Sequence, residues 1–397
     1  MKKIIIIVII LILLLVGIFT GVKLYEYYRI KNAVILVELV DDLDVEFNSK
    51  TYLSNIIKSI NGEYKDFEID TTKLGKKTIK FDYINDEKIK VSYEFKINIK
   101  DTVPPFVNLS NRYSVILGSE DTLLRDVMCG DNEDDNPKCE IEGEYDLNKI
   151  GTYPLTFRAS DKSGNETIKN FDLIVKEKSK PIYSNDYTDF KYIYDNYKTE
   201  NTRIGLDISK YQGDIDFSKV KSAGVSFIMI RVGTKNFETK EYVLDPKFKQ
   251  NIEGAIKEGI DVGIYFYSYA SSKKEAKDDA NWVIEQIKDY KISMPIAYDW
   301  EDWSDYNSYN LSFYKLNQIA KTYLDTIKDN GYDPILYGSK FYLQNIWDNE
   351  YYDTWLAHYI NETNYEGNYT MWQLCDNGKI DGINGYVDID IYYTENY

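Results

Sequence analysis

The chain has 397 residues, which allows roughly two to four domains, and its net charge is −17. This acidity, without any basic patch, excludes nucleic acid as an expected partner. The single histidine, His358, argues against histidine-ligated metal sites and against a Ser-His-Asp triad. The three cysteines, Cys129, Cys139 and Cys375, lack zinc-binding spacing.

The N-terminus carries a long apolar stretch. Lys2 and Lys3 precede Ile4–Val22, a run of 19 residues without charge, which as a helix would span about 30 Å of hydrocarbon. A cleaved signal peptide is the alternative, but its apolar core is usually shorter, and Lys23–Arg29 offers no Ala-x-Ala site. The sequence therefore predicts an uncleaved, single-pass membrane anchor over residues 1–23. The two lysines would keep the N-terminus inside a bacterial cell, of the Gram-positive type, and place the later domains outside.

Short β-rich runs with a period of two follow from Ala33 to about Pro181, a pattern typical of antiparallel sandwiches. An internal repeat indicates two copies, because the segment Asp70–Gly75 matches the segment Asp146–Gly151 at an offset of 76 residues. We expect two small all-β sandwiches, over residues 30–100 and 101–180.

The second copy resembles the bacterial immunoglobulin-like modules of surface proteins. The matching segments are Asp101-Thr-Val-Pro-Pro105, Gly118-Ser119, Gly130-Asp-Asn132, Gly151-Thr-Tyr153 and Ala159–Asn165. The first copy is assigned to the same class through the repeat alone. The resemblance implies a spacer or a contact with the cell wall, without chemistry of its own.

An acidic loop, Asp131–Asn136, lies in the second copy. It could be a calcium loop, but it lacks the glycine and distal glutamate of an EF-hand, so a solvated loop is favoured. Cys129 and Cys139 flank it, and outside the cell they could form a disulfide, with two unpaired thiols as the alternative. Residues 181–202 are polar and without clear period, which indicates a linker.

From Arg203 onward, strand patterns alternate with helix patterns. The eight expected strands are Ile204–Ile208, Ser226–Val232, Asp261–Tyr267, the run that begins at Met294, Pro334–Tyr337, Thr354–His358, Tyr369–Leu374 and Tyr386–Asp390. This alternation predicts a closed, somewhat irregular β/α (TIM-like) barrel over residues 203–397. Such barrels carry their functional residues at the C-terminal ends of the strands.

The fourth strand ends in two carboxylates, Asp299 and Glu301, which point the same way because residues two apart on a strand share a face. A strand end that simply meets solvent is the alternative. Trp300 and Trp303 favour a sugar-binding cleft, which needs flat apolar faces beside its acids.

The strand-end rule selects a larger set of candidate site residues. They are Asp207, Arg231, Tyr265, Tyr267, Asp299, Glu301, Tyr337, His358, Tyr359, Trp372, Gln373 and Asp388. Four acids would face one mouth lined by aromatic rings. Crowded like charges raise at least one pKa and so provide a proton donor near neutral pH, which glycoside hydrolysis requires.

The domain also resembles the glycoside hydrolase family 25 muramidases, the Chalaropsis-type lysozymes. The matching segments are Gly205–Ser209, Tyr211-Gln-Gly213, Phe227–Gly233, Gly263–Tyr267, Asp299-Trp-Glu301, Trp355–Tyr359, Met371-Trp-Gln373 and Gly385–Asp388. The resemblance implies hydrolysis of the β-1,4 bond between N-acetylmuramic acid and N-acetylglucosamine in peptidoglycan. It implies no metal and no cofactor, and with the anchor it favours local remodelling of the cell's own wall.

Carried over to this chain, the resemblance implies a role for each acid. Glu301 is the general acid/base. Asp299 is its partner, either as nucleophile or by steadying the N-acetyl group of the substrate. Asp207 and Asp388 position the substrate and tune the acids.

The resemblance also implies sugar subsites lined by Tyr267, Tyr337, Trp355, Tyr359 and Trp372. Two positions depart from the family pattern, because Phe266 stands where histidine is common and Asp390 where asparagine is frequent. A non-catalytic peptidoglycan-binding protein, or a scaffold of an envelope assembly, is the alternative.

Overall fold

The computed structural model describes residues 2–179, 186–236 and 238–394, with residues 2–6 and 8 described by their backbone alone. Contacts divide the chain into two compact units, one up to Val103 and one from Pro104 onward. Each unit is described by itself.

The first unit begins with a long apolar helix and continues as an all-β module. Its helices are α1 (Lys2–Lys31) and α2 (Leu53–Ile56), and its strands are β1 (Val37–Leu39), β2 (Asp44–Glu46), β3 (Thr51–Tyr52), β4 (Ile57–Ile60), β5 (Gly62–Tyr64), β6 (Glu68–Ile69), β7 (Gly75–Asn85) and β8 (Lys90–Lys100). Within α1, the segment Ile9–Lys31 contains an 18-residue window with a mean hydropathy of 2.1. By length and composition it could cross a membrane, and a signal sequence near the N-terminus would meet the same criteria.

The second unit opens with another all-β module. Its elements are β9 (Phe106–Val107), β10 (Arg112–Ile116), α3 (Leu123–Asp126), β11 (Cys129–Gly130), β12 (Lys138–Glu142), β13 (Gly151–Ser160) and β14 (Glu166–Lys176). Inward-facing apolar residues alternate with outward polar ones along β13 and β14, and Phe157 and Leu173 are fully buried. Cys129 and Cys139 form a disulfide, with their Cα atoms 6.7 Å apart.

The internal repeat corresponds to a shared topology. In the first module β2 pairs in parallel with β8, which forms a hairpin with β7. In the second module β10 pairs in parallel with β14, which forms a hairpin with β13. Both hairpins begin at the repeated glycine, Gly75 or Gly151. The two modules therefore fold alike, and their immunoglobulin-like class stays a prediction.

The rest of the second unit is a closed barrel of eight strands, which confirms the predicted barrel. The barrel strands are β16 (Thr202–Ile208), β17 (Phe227–Lys235), β19 (Asp261–Tyr267), β20 (Ile296–Asp299), β21 (Pro334–Ser339), β22 (Asp353–Ala357), β23 (Met371–Lys379) and β24 (Val387–Tyr393), and two short strands, β15 (Thr188–Asp189) and β18 (Tyr242–Leu244), extend it. The first seven barrel strands run parallel to their neighbours. The last strand, β24, closes the barrel antiparallel to both β16 and β23.

Helices cover the outside of the barrel. They are α4 (Phe190–Tyr197), α5 (Phe217–Ser222), α6 (Phe248–Lys257), α7 (Lys273–Ile287), α8 (Tyr306–Tyr309), α9 (Phe313–Asp329) and α10 (Lys340–Asn345), with short 3-10 helices at Lys210–Gln212 and Trp303–Asp305. One apolar cluster fills the space between strands and helices, and a smaller one fills the barrel interior around Phe227, Met229 and Trp355. This two-layer packing holds the strand ends in fixed positions.

The predicted linker, residues 181–202, is wrong in its second half. Residues 180–185 lie outside the described residues. Strand β15 pairs with β23, and helix α4 buries Phe190 and Ile193 in the outer core of the barrel. The side chain of Asp189 caps α4 by accepting a hydrogen bond from the Lys191 amide. The helix was missed because only two of its positions are strongly apolar and buried.

Candidate active site

The barrel brings acids from three strands to one end. Asp207 lies near the end of β16, and Asp299 is the last residue of β20. Asp388 lies at the start of β24, directly opposite Asp207 in the sheet. The expectation that functional residues lie at the C-terminal ends of barrel strands implied that the eighth strand also ended at the mouth. The carboxylate reaches the mouth because β24 runs the other way and begins there.

These acids surround a cavity of about 300 Å³. Its walls are formed by Asp207, Ser209, Tyr211, Gln212, Arg231, Tyr265, Tyr267, Asp299, Glu301, Tyr337, Trp355, Gln373 and Asp388. Most of the residues predicted from the sequence are therefore brought together here. The strand register explains the grouping, because Arg231 lies opposite Tyr265, Tyr267 opposite Asp299, and Tyr337 opposite Trp355.

Gln373 connects the acids with the aromatic wall. Its side-chain amide donates hydrogen bonds to Asp207 and, over 3.2 Å, to Asp388. Its carbonyl oxygen accepts hydrogen bonds from the hydroxyls of Tyr337, at 2.9 Å, and Tyr359, at 3.0 Å. Gln373 is buried, so one side chain fixes two carboxylates and two phenols in one network.

The loop after β16 contributes residues that the sequence reasoning had not assigned to the site. Ser209, Tyr211 and Gln212 line the cavity, and the Tyr211 ring is 74% exposed. The guanidinium of Arg231 lies 5.1 Å from the centre of that ring and forms two hydrogen bonds with buried Asp245. The sequence does contain a signal for these residues, since they follow directly after the strand that carries Asp207 near its end.

Three predicted positions fall outside the cavity wall. Trp372 faces the opposite side of β23 from Gln373, because adjacent strand residues point to opposite faces, and it is buried in the outer core against Tyr197. This corrects its prediction as a sugar contact. His358 hydrogen-bonds to Thr363 and is not among the residues that line the cavity, so its role as a substrate contact stays a prediction. Tyr359 lies at the rim, 52% exposed, and reaches the network through its hydroxyl.

The two tryptophans beside the acids do not form open flat faces. Trp300 is buried in the outer core, because it alternates with Asp299 and follows the strand face that points away from the cavity. Trp303 is also buried, and its ring stacks on Tyr342 at 3.8 Å between centres. The prediction that these indole rings flank the cleft is therefore wrong.

Burial dominates the electrostatics of the acids. It raises the pKa of Asp207 to about 7, with a contribution from Asp390, while hydrogen bonds from the Gln373 amide and the Tyr265 hydroxyl partly oppose the rise. Burial, together with the charge of Asp207, raises the pKa of Asp388 to about 9. The two carboxyls are hydrogen-bonded to each other, so at neutral pH they share a proton.

The pKa values of the second pair of acids, Asp299 and Glu301, are raised for the same physical reason. Burial, and then the charges of Glu301 and Asp207, raise the pKa of Asp299 well above its usual range. Burial raises the pKa of Glu301 to about 7. A carboxylic acid with this pKa can give up and recover a proton near neutral pH.

Asp390 lies behind the site, fully buried on β24. One oxygen accepts a hydrogen bond from the Trp355 indole at 2.9 Å, and the other has no hydrogen-bond partner among the described residues. Burial, followed by the charge of Asp388, raises the pKa of Asp390 well above its usual range. Asp390 therefore behaves as a neutral side chain, much as an asparagine would.

Asp390→Asn is expected to stabilise the fold, and to do so more as the pH rises from about 4 to about 8. The folded protein keeps a proton on Asp390 that the unfolded chain has already lost at neutral pH, so wild-type stability falls across this range. Asparagine is neutral throughout and its carbonyl can still accept the Trp355 hydrogen bond. Thermal unfolding of both proteins at both pH values measures the effect, and an equal difference at the two values would contradict the prediction.

Residues 206–383, somewhat less than half of the chain, match the family described as glycosyl hydrolases family 25. The C-terminal domain belongs to glycosyl hydrolase family 25. The matched segment contains Asp207, Asp299 and Glu301, and it stops just before Asp388. The family 25 domain is accordingly a glycoside hydrolase.

Two curated relatives each align with slightly less than half of the chain. The uncharacterized protein YegX of Escherichia coli K12 is 28% identical over 194 residues, which are 47% of this chain and 68% of YegX. The autolytic lysozyme of Clostridium acetobutylicum is 27% identical over 190 residues, which are 47% of this chain and 54% of that enzyme. Both matches agree with the assignment of the family 25 domain.

Two solved structures also align with the chain. A family 25 glycosyl hydrolase from Bacillus anthracis is 21% identical, with a TM-score of 0.44, over 54% of this chain and 95% of its own. The autolysin LytC of Streptococcus pneumoniae, solved with a synthetic peptidoglycan ligand, is 25% identical, with a TM-score of 0.43, over 60% of this chain and 56% of its own. The assignment rests on the sequence match, because both TM-scores are below 0.5.

Proposed function

We propose that this protein is a muramidase that hydrolyses the β-1,4 bond between N-acetylmuramic acid and N-acetylglucosamine in peptidoglycan. One observation carries the proposal: Asp207, Asp299, Glu301 and Asp388 converge on a single cavity walled by tyrosines. Keeping four carboxyls together, with Asp207 and Asp299 buried and Glu301 and Asp388 half-buried, is costly, and a protein that only held glycan would gain nothing from it. The family 25 match supports the same chemistry.

In this mechanism Glu301 protonates the leaving oxygen as its bond to the anomeric carbon breaks, while that carbon bonds either to the Asp299 carboxylate or to the substrate's own N-acetyl oxygen, which Asp299 steadies. Glu301 then removes a proton from the water that attacks the anomeric carbon and displaces this group. Its pKa of about 7 keeps a large fraction in the acid form at neutral pH. Asp299 is the partner carboxylate on the same face of the strand end. The Asp207–Asp388 pair orients the sugar, and Tyr267, Tyr337 and Trp355 provide its apolar contacts.

The identity of the new chain ends tests the proposal. We expect the full chain in detergent, incubated with purified peptidoglycan, to release fragments whose reducing ends become muramitol after borohydride reduction. Mass spectrometry distinguishes these fragments from fragments that end in glucosaminitol. Glucosaminitol ends would identify a different bond specificity, and binding without any new reducing ends would favour a glycan-holding or scaffold protein instead.

We also propose that α1 is an uncleaved anchor and that the hydrolase acts locally, remodelling the wall of its own cell from outside a single, Gram-positive-type membrane. The domain order would be anchor (1–23), two immunoglobulin-like modules (30–100 and 101–180) and hydrolase. The modules would space the hydrolase from the membrane or contact the wall. The length of α1 and the high hydropathy of its apolar window support the anchor.

The anchor has its own test. In cell fractionation the native protein is expected in the membrane fraction, and mass spectrometry should recover peptides from the Lys23–Lys31 segment there. Deletion of residues 4–22 is expected to abolish membrane association, because it removes the apolar surface that the bilayer would cover. A native protein found free in the medium, starting downstream of residue 23, would instead identify a cleaved signal sequence.

A further inference from the structure

The second β module contacts the barrel immediately after the strand that carries Asp299. The segment Glu301–Lys315 follows β20 and leads into α9, and we call it the acid segment. The stretch Val127–Cys139 of the module, which contains the Cys129–Cys139 disulfide, lies against it, and we call it the module loop. The acid segment contains Glu301, which lies beyond the end of β20, so its position depends on what packs against the segment.

Hydrogen bonds join the module loop to the acid segment along much of its length. The amide group of Asn307 donates to the carbonyl oxygens of Val127, at 2.8 Å, and Arg125, at 3.1 Å. The carbonyl oxygen of the same side chain accepts from the Cys129 backbone N–H at 2.9 Å. Asn307 therefore bridges the acid segment and the module, because its side chain hydrogen-bonds to backbone N–H and C=O groups of the module as a neighbouring strand would.

The acidic part of the module loop meets the start of helix α9. The backbone N–H of Phe313 donates to the carbonyl oxygen of Asp131 at 2.7 Å, and that of Ser312 donates to the Asp135 carboxylate at 3.1 Å. Asp135 also forms an ion pair with Lys315. These contacts correct the prediction of a solvated acidic loop, since Asp131 and Asp134 are both buried.

Apolar packing completes the contact. Met128 is buried within the outer apolar cluster of the barrel rather than in the core of its own module. Gly130 lies so close to Tyr306 and Phe313 that a Cβ at this position would approach their rings to 2.7 Å. Any larger residue would separate the two surfaces, so the module and the barrel behave as one packed body here.

A continuous stack of rings leads from this contact to the acid. Tyr306 lies in a stacked arrangement with Trp303, whose backbone N–H donates to the Glu301 carbonyl oxygen at 2.8 Å. Trp303 in turn stacks on Tyr342, and the side chain of Asn108 in the module hydrogen-bonds to Tyr342. The module thus contacts both ends of the stack that supports Glu301.

We propose that the module loop is a positioning element of the hydrolase, with Asn307 as the residue that couples it to Glu301. The module is then part of the functional enzyme rather than only a spacer. The inference rests on the proposed function where it is tested by enzymatic activity. A second measurement, the pKa of Glu301, does not depend on that function. The physical reason is that a displacement of about 1 Å in a catalytic group can cost roughly a hundredfold in rate.

The test compares Asn307→Ala with the control Asn345→Ala, both in the full chain in detergent. Asn345 is an exposed asparagine on α10, and its side-chain amide donates a hydrogen bond to the Phe341 carbonyl oxygen of the same helix. For Asn307→Ala we expect kcat to fall at least about tenfold with little change in KM, because the acid is misplaced while the sugar contacts remain. The control is expected to keep wild-type values.

The second readout is the pKa of Glu301 without substrate. Tryptophan fluorescence is measured against pH for each protein and for the same protein that also carries Glu301→Gln. The difference between the two curves gives the Glu301 titration, since Trp303 adjoins Glu301. Loosening the acid segment admits water, so the Glu301 pKa is expected to fall by about one unit towards its ordinary value. None of the ionisable groups that face Glu301 is substituted in these variants. The groups are Asp299, Asp388, Tyr267, Tyr337, Tyr342 and Tyr359.

Reduction of the Cys129–Cys139 disulfide in the wild type provides an independent perturbation that needs no substitution. It is expected to shift the Glu301 pKa in the same direction, while Asn345→Ala leaves it unchanged. An unchanged Glu301 pKa in both Asn307→Ala and the reduced wild type would overturn the positioning role, whether or not the protein cleaves peptidoglycan. An inactive wild type with the expected pKa shifts would overturn the proposed function alone.

Discussion

Glu301→Gln is expected to lower kcat by about a thousandfold or more while the protein stays folded. Glutamine has the size of a protonated glutamic acid and can hydrogen-bond in its place, but it cannot release a proton to the leaving oxygen. Because burial raises the pKa of Glu301 to about 7, the wild-type side chain is largely neutral in the folded state at mildly acid pH, and the substitution changes little there. The rate of appearance of new reducing ends measures the loss.

A matched control is available in the same segment. Asp305 is an exposed acid four positions further on, and Asp305→Asn removes one negative charge without touching the cavity. This variant is expected to retain wild-type kcat and wild-type thermal stability. A Glu301→Gln protein with more than about a tenth of the wild-type rate would contradict the role of Glu301 as general acid, because such catalysis usually contributes at least a hundredfold.

Gln373→Met is expected to reduce the free energy of unfolding by about 2–4 kcal/mol. Methionine has nearly the length of glutamine, so packing is largely kept. The substitution removes the donor for Asp207 and Asp388 and the acceptor for Tyr337 and Tyr359. Buried polar groups left without partners cost more than the hydrogen bonds contribute. Chemical denaturation followed by circular dichroism measures the change.

The same substitution is expected to lower kcat by about a hundredfold, since Asp207 and Asp388 lose the group that fixes their orientation. Tyr359→Phe serves as the control, because it removes one hydrogen bond to Gln373 at the exposed rim and should cost less than about 1 kcal/mol. A Gln373→Met protein no less stable than Tyr359→Phe would show that the network is not structurally important.

The sequence predicted the barrel and most of the cavity wall for a simple reason. Parallel strands end at one rim, so Asp207, Tyr267 and Asp299 had to meet once their strands were recognised. The family resemblance added the order of the motifs. Asp388 was placed at the mouth by the same rule although its strand is antiparallel, which the sequence pattern does not reveal.

The wrong predictions have two physical causes, one that concerns neighbouring residues on a strand and one that concerns residues far apart in the sequence. Trp372 and Trp300 were assigned to the cleft because they adjoin site residues, whereas the two-residue period of a strand places them on the other face. The contact between the module loop and Asn307 joins residues 178 positions apart. No periodicity or composition signals such a contact, because each surface is also compatible with solvent when considered alone.

The reversed direction of β24 has a practical consequence for handling the enzyme. From Asp388 at the mouth the strand descends to Tyr393, which pairs with Thr202 at the beginning of β16. The described chain therefore leaves the barrel at the rim furthest from the cavity. A capture tag fused behind this strand would hold the protein on a bead or sensor surface with its cleft open to bulky, insoluble wall fragments, which a tag in any loop beside the mouth would obstruct.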